Sequence, residues 1–515
     1  MDIAHGQILI LCYPTINLLI KVNYKPHYKP NQLICGSGQI AIITGWTVRQ
    51  SVAKHLNFEE FAVIGNLYSP TRGINPLIRN LIANTHVRFL IILNATNEDK
   101  NSGSCKCLID FFSQGFSKGK SDTGRDCWVI NSKIKGYIDI EIPAEVLKKF
   151  RESIQWQEAK TIRETIDFVK YFYQKGFIKS WGEPLFFPEI ENSPTIFSGH
   201  RYGHRIEGET IAQTWVKILH RIKTTGTIRP SAYGQWQELI DVIAIVTDEP
   251  DNFYFPEPNF LPIERQFLSN YISQVLDNAP HQEGVKYTYG QRLRSWFGRD
   301  QIEQAIYKLV EEKDSSRVVM SLWDVKDYEN NDSPPCLNHI WLRIVDDELS
   351  LTATFRSNDM FSAWVANAMG LRALQKHICD RINQSSQYNL KLGPLITISQ
   401  SAHIYDDCWE YAEQIIQTEY PKICQQRSFD DPSGSFVISI QDGEIFVEHL
   451  TPGSGEVVNC YSGKTARSIY QKIAANCPAL EVEHALYLGT ELQKAEIALS
   501  SSQKDTYTQD KTLKL

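Results

Sequence analysis

No apolar run in the sequence approaches the 18 or so residues that a membrane-crossing helix requires, so a helical membrane span is not expected. A basic excess is also missing. With 53 Lys and Arg against 60 Asp and Glu the formal charge is −7, which argues against a general nucleic-acid binder, although a local Arg cluster can still hold a small phosphorylated ligand. There is no disulfide framework: eleven cysteines are scattered without regular spacing, and the odd count leaves at least one unpaired. Reduced thiols in a cytoplasmic protein fit that pattern. Cys105 and Cys107 form the one close pair and have no second pair at zinc-finger distance, so no metal site is expected. The opening MDIAHGQILILCYPTINLLI carries Asp2 and His5 without a Lys/Arg cluster and reads as a buried strand, not a signal peptide.

What is present is long enough for two or three folded units: 515 residues, 42% hydrophobic and 22% charged, as in ordinary globular chains. The predicted class is multidomain, α/β and α+β. Residues 1–175 alternate short apolar runs with helical stretches (QIAIITGW, FAVIGN, INPLIRNLIANT, VRFLIILNA, CWVIN), the order of a parallel α/β sheet. After Pro143, AEVLKKFRESIQWQEAKTIRETIDFVKYFYQK reads as one or two amphipathic helices. A Pro- and Asn-rich stretch over 176–194 marks a linker. From 195 to 424 the pattern is α+β: a helix ending at Gly226, strands ELIDVIAIV and HIWLRIVDDELSLTATF with a turn at Asp346-Asp347, a helix over MFSAWVANAMGLRALQKHICDRI, and the strand LGPLITISQSAHIY. A small α+β domain follows over 425–500, with a hairpin at Asp442-Gly443 and two helices, and then a polar tail over 501–515.

Within the central region, SPPCLNH sets Cys336 after two prolines, which fix a rigid loop. Arg356, Ser357, Asn358 and Asp359 end an alternating strand, and an Arg near a thiol favours the thiolate and hence nucleophilicity. The segments YGQRLRSW, SSRVVMSLWD, PPC, FRSNDMFSAWVAN and SAHIY occur in the order and approximate spacing of thymidylate synthases. Residues 195–424 therefore resemble that family, most of all its shorter archaeal-type members, and the resemblance implies its α+β fold.

It also implies roles. Cys336 is the nucleophile that adds to C6 of the pyrimidine of dUMP, and Arg356 and Ser357 hold the 5′-phosphate. Asn367 matches the group that hydrogen-bonds the O4/N3 edge of uracil, and His403 and Tyr405 match the residues that hold the deoxyribose hydroxyl. Asp359 matches the carboxylate that grips the pterin of the co-substrate 5,10-methylenetetrahydrofolate, and Tyr289 and Glu238 match groups that arrange water and protons around the base. Family members are homodimers in which two adjacent arginines reach the neighbouring protomer's phosphate. Here the pair is Ser316-Arg317, and Arg229 is a candidate replacement donor. Trp323 and Trp364 are expected to pack, not to bind. The resemblance leaves two other readings open: a pyrimidine deoxynucleotide hydroxymethylase, and a non-catalytic nucleotide or pterin sensor. Further upstream, GNLYSPTRGINPLIRNLIANTHVRFLIILNATNEDKNSG resembles the corrinoid-carrying component of tetrahydromethanopterin S-methyltransferase, whose cobalt-ligating histidine would fall about where Tyr68 stands. The end region, with His449 and His484 expected to be structural, resembles an uncharacterised domain.

Overall fold

The computed structural model describes residues 23–95, 103–121, 124–188, 199–200, 202–231, 234–278, 287–328, 334–425, 431–501 and 507–513. The strand expected within the first twenty residues lies outside these. The chain divides into two compact units: Met1–Thr214 with Arg221–Phe253 and Leu261–Cys408, and Trp215–His220 with Tyr254–Phe260 and Trp409–Leu515.

The first unit begins with β1 (Leu33–Cys35), β2 (Ile40–Ile43), α1 (Arg49–Ala53), β3 (Val63–Gly65), α2 (Pro70–Ala83), β4 (Phe89–Leu93) and α3 (Ser104–Gln114). After these come β5 (Phe116–Lys120), β6 (Asp126–Ile130), β7 (Tyr137–Asp139), α4 (Ala144–Ser153), β8 (Gln155–Ala159) and α5 (Ile162–Tyr173). One sheet has the order β1-β3-β2-β4-β8 and is parallel except for β1. Every residue of β2 and β4 is buried, as expected of parallel strands covered on both faces. One face packs on Ile74, Ile78, Phe111 and Leu147, the other on Val52, Val169 and Phe172.

Two sequence expectations fail here. CWVIN is not part of the parallel sheet but forms β6 of a separate antiparallel sheet, β5-β6-β7. The long helical stretch after Pro143 is broken by β8, whose backbone pairs with β4 and so completes the parallel edge. The stretch read as a linker is tied down as far as its described residues go. Gln39, buried beneath it, exchanges hydrogen bonds with the Ile178 backbone, and Arg79 donates to the carbonyls of Phe187 and Pro188. Buried polar side chains need such partners, and backbone carbonyls supply them. Cys105 and Cys107 point to different carbonyls, those of Leu93 and Ile134, and burial pushes their thiols up to about 12 and about 11.

The chain continues with β9 (Tyr202–Gly208), α6 (Ile211–Thr225), whose Trp215–His220 belong to the second unit, β10 (Thr227–Ser231), β11 (Gly234–Val246), α7 (Arg265–Leu276), α8 (Tyr289–Arg294), α9 (Gln301–Glu311) and β12 (Val319–Ser321). Then come β13 (Leu337–Val345), β14 (Glu348–Phe355), β15 (Asn358–Asp359), α10 (Trp364–Ser385) and β16 (Lys391–Tyr405). Their sheet has the order β10-β11-β16-β14-β13-β12, with β9 also on β11 and β15 also on β16. Asp346 and Asp347 both take positive φ, 52° and 62°, the geometry of a two-residue hairpin turn. On one face, Leu349, Leu351, Ala353 and Phe355 are buried, and the Trp364 ring of α10 donates to Thr397 of β16 at 2.9 Å. The other face lines up Val319, Trp341, Thr352, Ile396 and Ile245 in register across five strands, with Trp341 38% and Val319 49% exposed.

In the second unit, after α11 (Trp409–Gln425), β17 (Ser435–Gln441), β18 (Glu444–Leu450) and β19 (Val457–Gly463) form an antiparallel meander covered by α12 (Ala466–Asn476) and α13 (Val482–Ser500). The hairpin turns at Asp442-Gly443, φ 47° and 77°. The polar tail is anchored where it is described: Tyr507 donates to Glu491, and Gln509 bonds Phe436 and Ile438 of β17. Gly434 opens that strand at φ +90°, and a Cβ there would lie 1.9 Å from the Leu450 carbonyl oxygen. Gly434→Ala is expected to cost at least about 2 kcal/mol through strain and backbone collision, read as a lowered unfolding temperature. No helix among the described residues is long and apolar enough to cross a membrane.

Candidate active site

The hairpin of β13 and β14 brings the two most telling residues of the sequence side by side. Leu337 pairs with Phe355, and the Arg356 backbone N–H donates to the Cys336 carbonyl at 2.9 Å. The Arg356 guanidinium reaches back over the diproline: Nε donates to Pro335 O at 3.2 Å and Nη2 to Pro334 O at 2.7 Å. Three of its five N–H groups remain for an anion. Burial pushes the Cys336 thiol up, and Arg356 pulls it back down. Ser357, half-buried, has no side-chain hydrogen-bond partner among the described residues.

Tyrosines line the thiol. Tyr289 opens α8 behind Thr288, whose hydroxyl and Gln291 form a capping box that fixes the helix start. Burial raises its hydroxyl well above the ordinary phenol range, and the neighbouring Tyr271, Cys336 and Tyr287 add to this, while the Leu337 backbone N–H opposes it. Tyr287 is pushed up to about 12 by burial and Cys336, with Arg292 and Arg356 opposing. These groups stay protonated near neutral pH and are therefore hydrogen-bond donors. Tyr271, on α7, donates at 2.5 Å to Oδ1 of Asn367, which sits buried on α10. Asn367 Nδ2 faces Asn358 Oδ1 at 3.4 Å, and Asn358 Nδ2 donates to Ser399 at 3.2 Å. A polar chain thus runs from α7 through α10 to the sheet. Tyr271→Phe removes the donor and leaves a buried amide oxygen without its partner, so if the site acts as the sequence resemblance implies, kcat/KM is expected to fall about tenfold, checked by steady-state kinetics.

Asp359 and His403 are neighbours across β15 and β16. Asp359 Oδ1 accepts from the backbone N–H groups of Phe361 and Ser362, both at 3.0 Å, and Oδ2 has no hydrogen-bond partner among the described residues. His403 is buried against the Trp236 ring at 4.3 Å and stands edge-on to Tyr405 at 4.9 Å. Burial lowers its imidazole, with Asp359 and Glu238 opposing.

Three residues singled out from the sequence, Glu238, Arg229 and Arg317, stand apart from the thiol. Glu238 is opposite His403 on β11, which is separated from β13 by β16 and β14, about 14 Å at three strand spacings. Arg229 does not stand free for a phosphate, because its Nε pairs with Glu238 Oε2 at 3.1 Å. Arg317 is exposed, and the register of β12, which follows it, carries it away from Cys336. The Leu342 N–H donates to the Val318 carbonyl, so Arg317 lies beyond the level of Leu342, ~20 Å along β13 from Cys336. Trp364 is fully buried as expected of a packing residue, and Trp323 packs edge-on against Tyr328. Tyr68, at the carboxyl end of β3, is exposed and edge-on to Trp46 at 4.8 Å.

Tyr271, Tyr287, Arg292, Trp236 and Ser401 were not singled out from the sequence. Arg292 and Ser401 lie inside motifs that were, and Tyr271 sits in a helix with nothing to distinguish it from core.

Compared with known proteins, residues 235–450 match the thymidylate synthase family model. Archaeal proteins provisionally named thymidylate synthases align at 34% identity from Methanococcoides burtonii and 33% from Methanosarcina barkeri, each over 42% of this chain and 95% of the relative. The chain belongs to the thymidylate synthase family. A thymidylate synthase of Streptococcus gordonii is 32% identical over 31% of this chain and 57% of its own length. The family segment contains the thiol, the Arg356 clamp and the Asn367 chain, and a model described as PterinBD-DUF4346 covers residues 430–510.

Proposed function

We propose that this member of the thymidylate synthase family is a homodimer that methylates dUMP to dTMP, with 5,10-methylenetetrahydrofolate as one-carbon donor and reductant. The observation that carries this reading is the placement of Cys336 beside the Arg356 guanidinium, with three N–H groups of Arg356 uncommitted and Asn367 held in a hydrogen-bonded chain nearby.

Arg356 and Ser357 bind the 5′-phosphate, and the guanidinium lowers the cost of forming thiolate. Cys336 Sγ adds to C6 of uracil, which makes C5 nucleophilic. Asn367 hydrogen-bonds the O4/N3 edge, where negative charge then develops. His403 and Tyr405 take the sugar hydroxyl, and the open oxygen of Asp359 suits an N–H of the pterin. Tyr289 and its neighbours, held protonated, serve as donors to ordered water at the base. Covalent addition divides one difficult substitution into feasible steps.

The dimer rests on two features. Arg317 is out of reach of its own chain's thiol, and the face opposite the core presents Val319, Trp341, Ile396 and Ile245 in one line. The PterinBD-DUF4346 match supports a pterin-bearing carrier. The test is a product assay with purified full-length protein, dUMP and 5,10-methylenetetrahydrofolate. Stoichiometric dTMP and dihydrofolate support the reading, whereas 5-hydroxymethyl-dUMP would assign the hydroxymethylase reaction instead. Binding of dUMP with no product would assign a sensor.

A further inference from the structure

Glu238 lies three strands from the thiol but is not idle. It is 8% exposed, and its two oxygens are committed in opposite directions: Oε2 to Arg229 Nε at 3.1 Å, Oε1 to the Ser401 hydroxyl at 2.5 Å. Ser401 Oγ is also 3.3 Å from His403 Nδ1. Donor and acceptor counting settles the direction of this chain. An ion-paired carboxylate only accepts, so the single hydroxyl hydrogen of Ser401 goes to Glu238. The Ser401 oxygen can then meet His403 only as an acceptor, as does the Ser401 backbone carbonyl that also bonds the ring, so Nδ1 carries the ring hydrogen. With one hydrogen on a neutral imidazole, Nε2 is left with its lone pair, and Nε2 has no protein hydrogen-bond partner among the described residues.

We propose that Glu238 and Ser401 are positioning residues that fix His403 in the Nδ1–H tautomer, so that Nε2 accepts a hydrogen bond from the free sugar hydroxyl of a deoxynucleotide. The tautomer follows from the chain alone, and the identity of the donor rests on the proposed dUMP reading. The site then demands a ligand whose 3′ group donates, and it discriminates against 3′-deoxy and 3′-O-methyl nucleotides, which cannot.

Glu238→Gln tests the polarity of the chain at constant shape. Arg229 Nε is a donor and draws the Gln carbonyl oxygen toward itself, turning the amide nitrogen toward Ser401. Ser401 must then accept from Gln and donate to Nδ1, and the ring hydrogen moves to Nε2. The full-length protein labelled with ¹⁵N-histidine reports the protonated ring nitrogen directly, and the His403 signals are identified by their loss in His403→Gln. The expected result is Nδ1–H in the wild type and Nε2–H in Glu238→Gln, with Ser401→Ala showing both tautomers. Glu238→Gln should also relax the discrimination against 3′-O-methyl-dUMP by about tenfold, because its ether oxygen can accept from Nε2–H but cannot donate to a bare Nε2, with 3′-deoxy-dUMP binding unchanged. An Nε2–H wild type, or an unaltered tautomer in a Glu238→Gln protein that melts like the wild type, overturns the proposal. If Glu238→Gln does not fold, Ser401→Ala decides by the same criterion. A tautomer that switches in a protein that binds no pyrimidine nucleotide upholds the chain and refutes the dUMP reading.

Discussion

Replacing Cys336 by Ala is expected to reduce turnover on the order of 10⁴-fold or more, because no other described group near the pyrimidine can take the nucleophile's place. On the proposed function the wild type is expected to form a covalent complex with 5-fluoro-dUMP and 5,10-methylenetetrahydrofolate, read as added mass on intact protein, and the same change should abolish it. Nucleotide binding should survive, since Arg356 draws its loop contacts from the carbonyls of Pro334 and Pro335 and not from the thiol. The wild type should also show a pH signature. Burial raises the Cys336 thiol and only Arg356 opposes it, so the free enzyme holds mostly thiol at neutral pH and kcat/KM climbs as pH rises toward the raised value. Arg356→Gln removes the opposing charge and should move that climb to higher pH. The linkage has a definite sign: a thiol with a raised folded-state value holds its proton more tightly than in the unfolded chain. Its contribution to stability is present below the ordinary thiol range and is lost as pH rises through the raised value, and Cys336→Ala abolishes this dependence. An adduct that persists in Cys336→Ala would show that another group is the nucleophile.

The largest expected effect on stability lies just behind the tyrosines. Arg292 and Asp327 form a two-pronged pair, both bonds at 3.0 Å, with side chains only 3% and 6% exposed. The guanidinium lies 3.7 Å over Trp296 and 4.8 Å over Tyr287, and its other hydrogen bond among the described residues is to the Leu322 carbonyl at 3.2 Å. Arg292 Nε is buried with no hydrogen-bond partner among the described residues, and Asp324, whose carboxylate feels the guanidinium, makes no ion pair with it, so removing Asp327 leaves a buried charge without its direct partner. Asp327→Ala is therefore expected to cost about 3–5 kcal/mol, measured by denaturant unfolding. Asp327→Asn, which keeps one acceptor and the Asp324 N–H contact, should cost less. Because Arg292 also holds Tyr287 in place beside the thiol, kcat/KM should fall in the Asp327→Asn protein while it remains folded. A loss below 1 kcal/mol in Asp327→Ala would mean that the guanidinium finds water.

How much of this was legible in the sequence depends on contact range. The Asp346-Asp347 turn, α10 and β16 were readable because turn chemistry and periodicity are local. Cys336 and Arg356 could be joined because one tight hairpin connects them. β8 was missed because QWQEA, set between two amphipathic helices, alternates too briefly to stand out, and only its pairing with β4 makes it a strand. CWVIN has a strand pattern, but nothing in that pattern tells which sheet it joins. In the site, the partner of Asn367 lies 96 residues away, and Ser401 lies 163 residues from Glu238. No window along the chain spans such distances. The family motifs therefore supplied the residue list, while the pairing of β11 with β16 supplied the contacts that give Glu238 its neighbours.

The offset between Arg317 and Cys336 has a genetic consequence. If each active centre borrows its Arg317 from the other protomer, two dead proteins can repair one another. Chains carrying Cys336→Ala and chains carrying Arg317→Ala, unfolded together and reassembled, would pair at random. Half of the pairs would be mixed, and each mixed pair would hold one centre with an intact thiol and an intact borrowed arginine beside one centre lacking both. Roughly a quarter of the wild-type centres would reappear from two inactive stocks. Two alleles that each fail alone would then support growth together, although neither gene encodes a working enzyme.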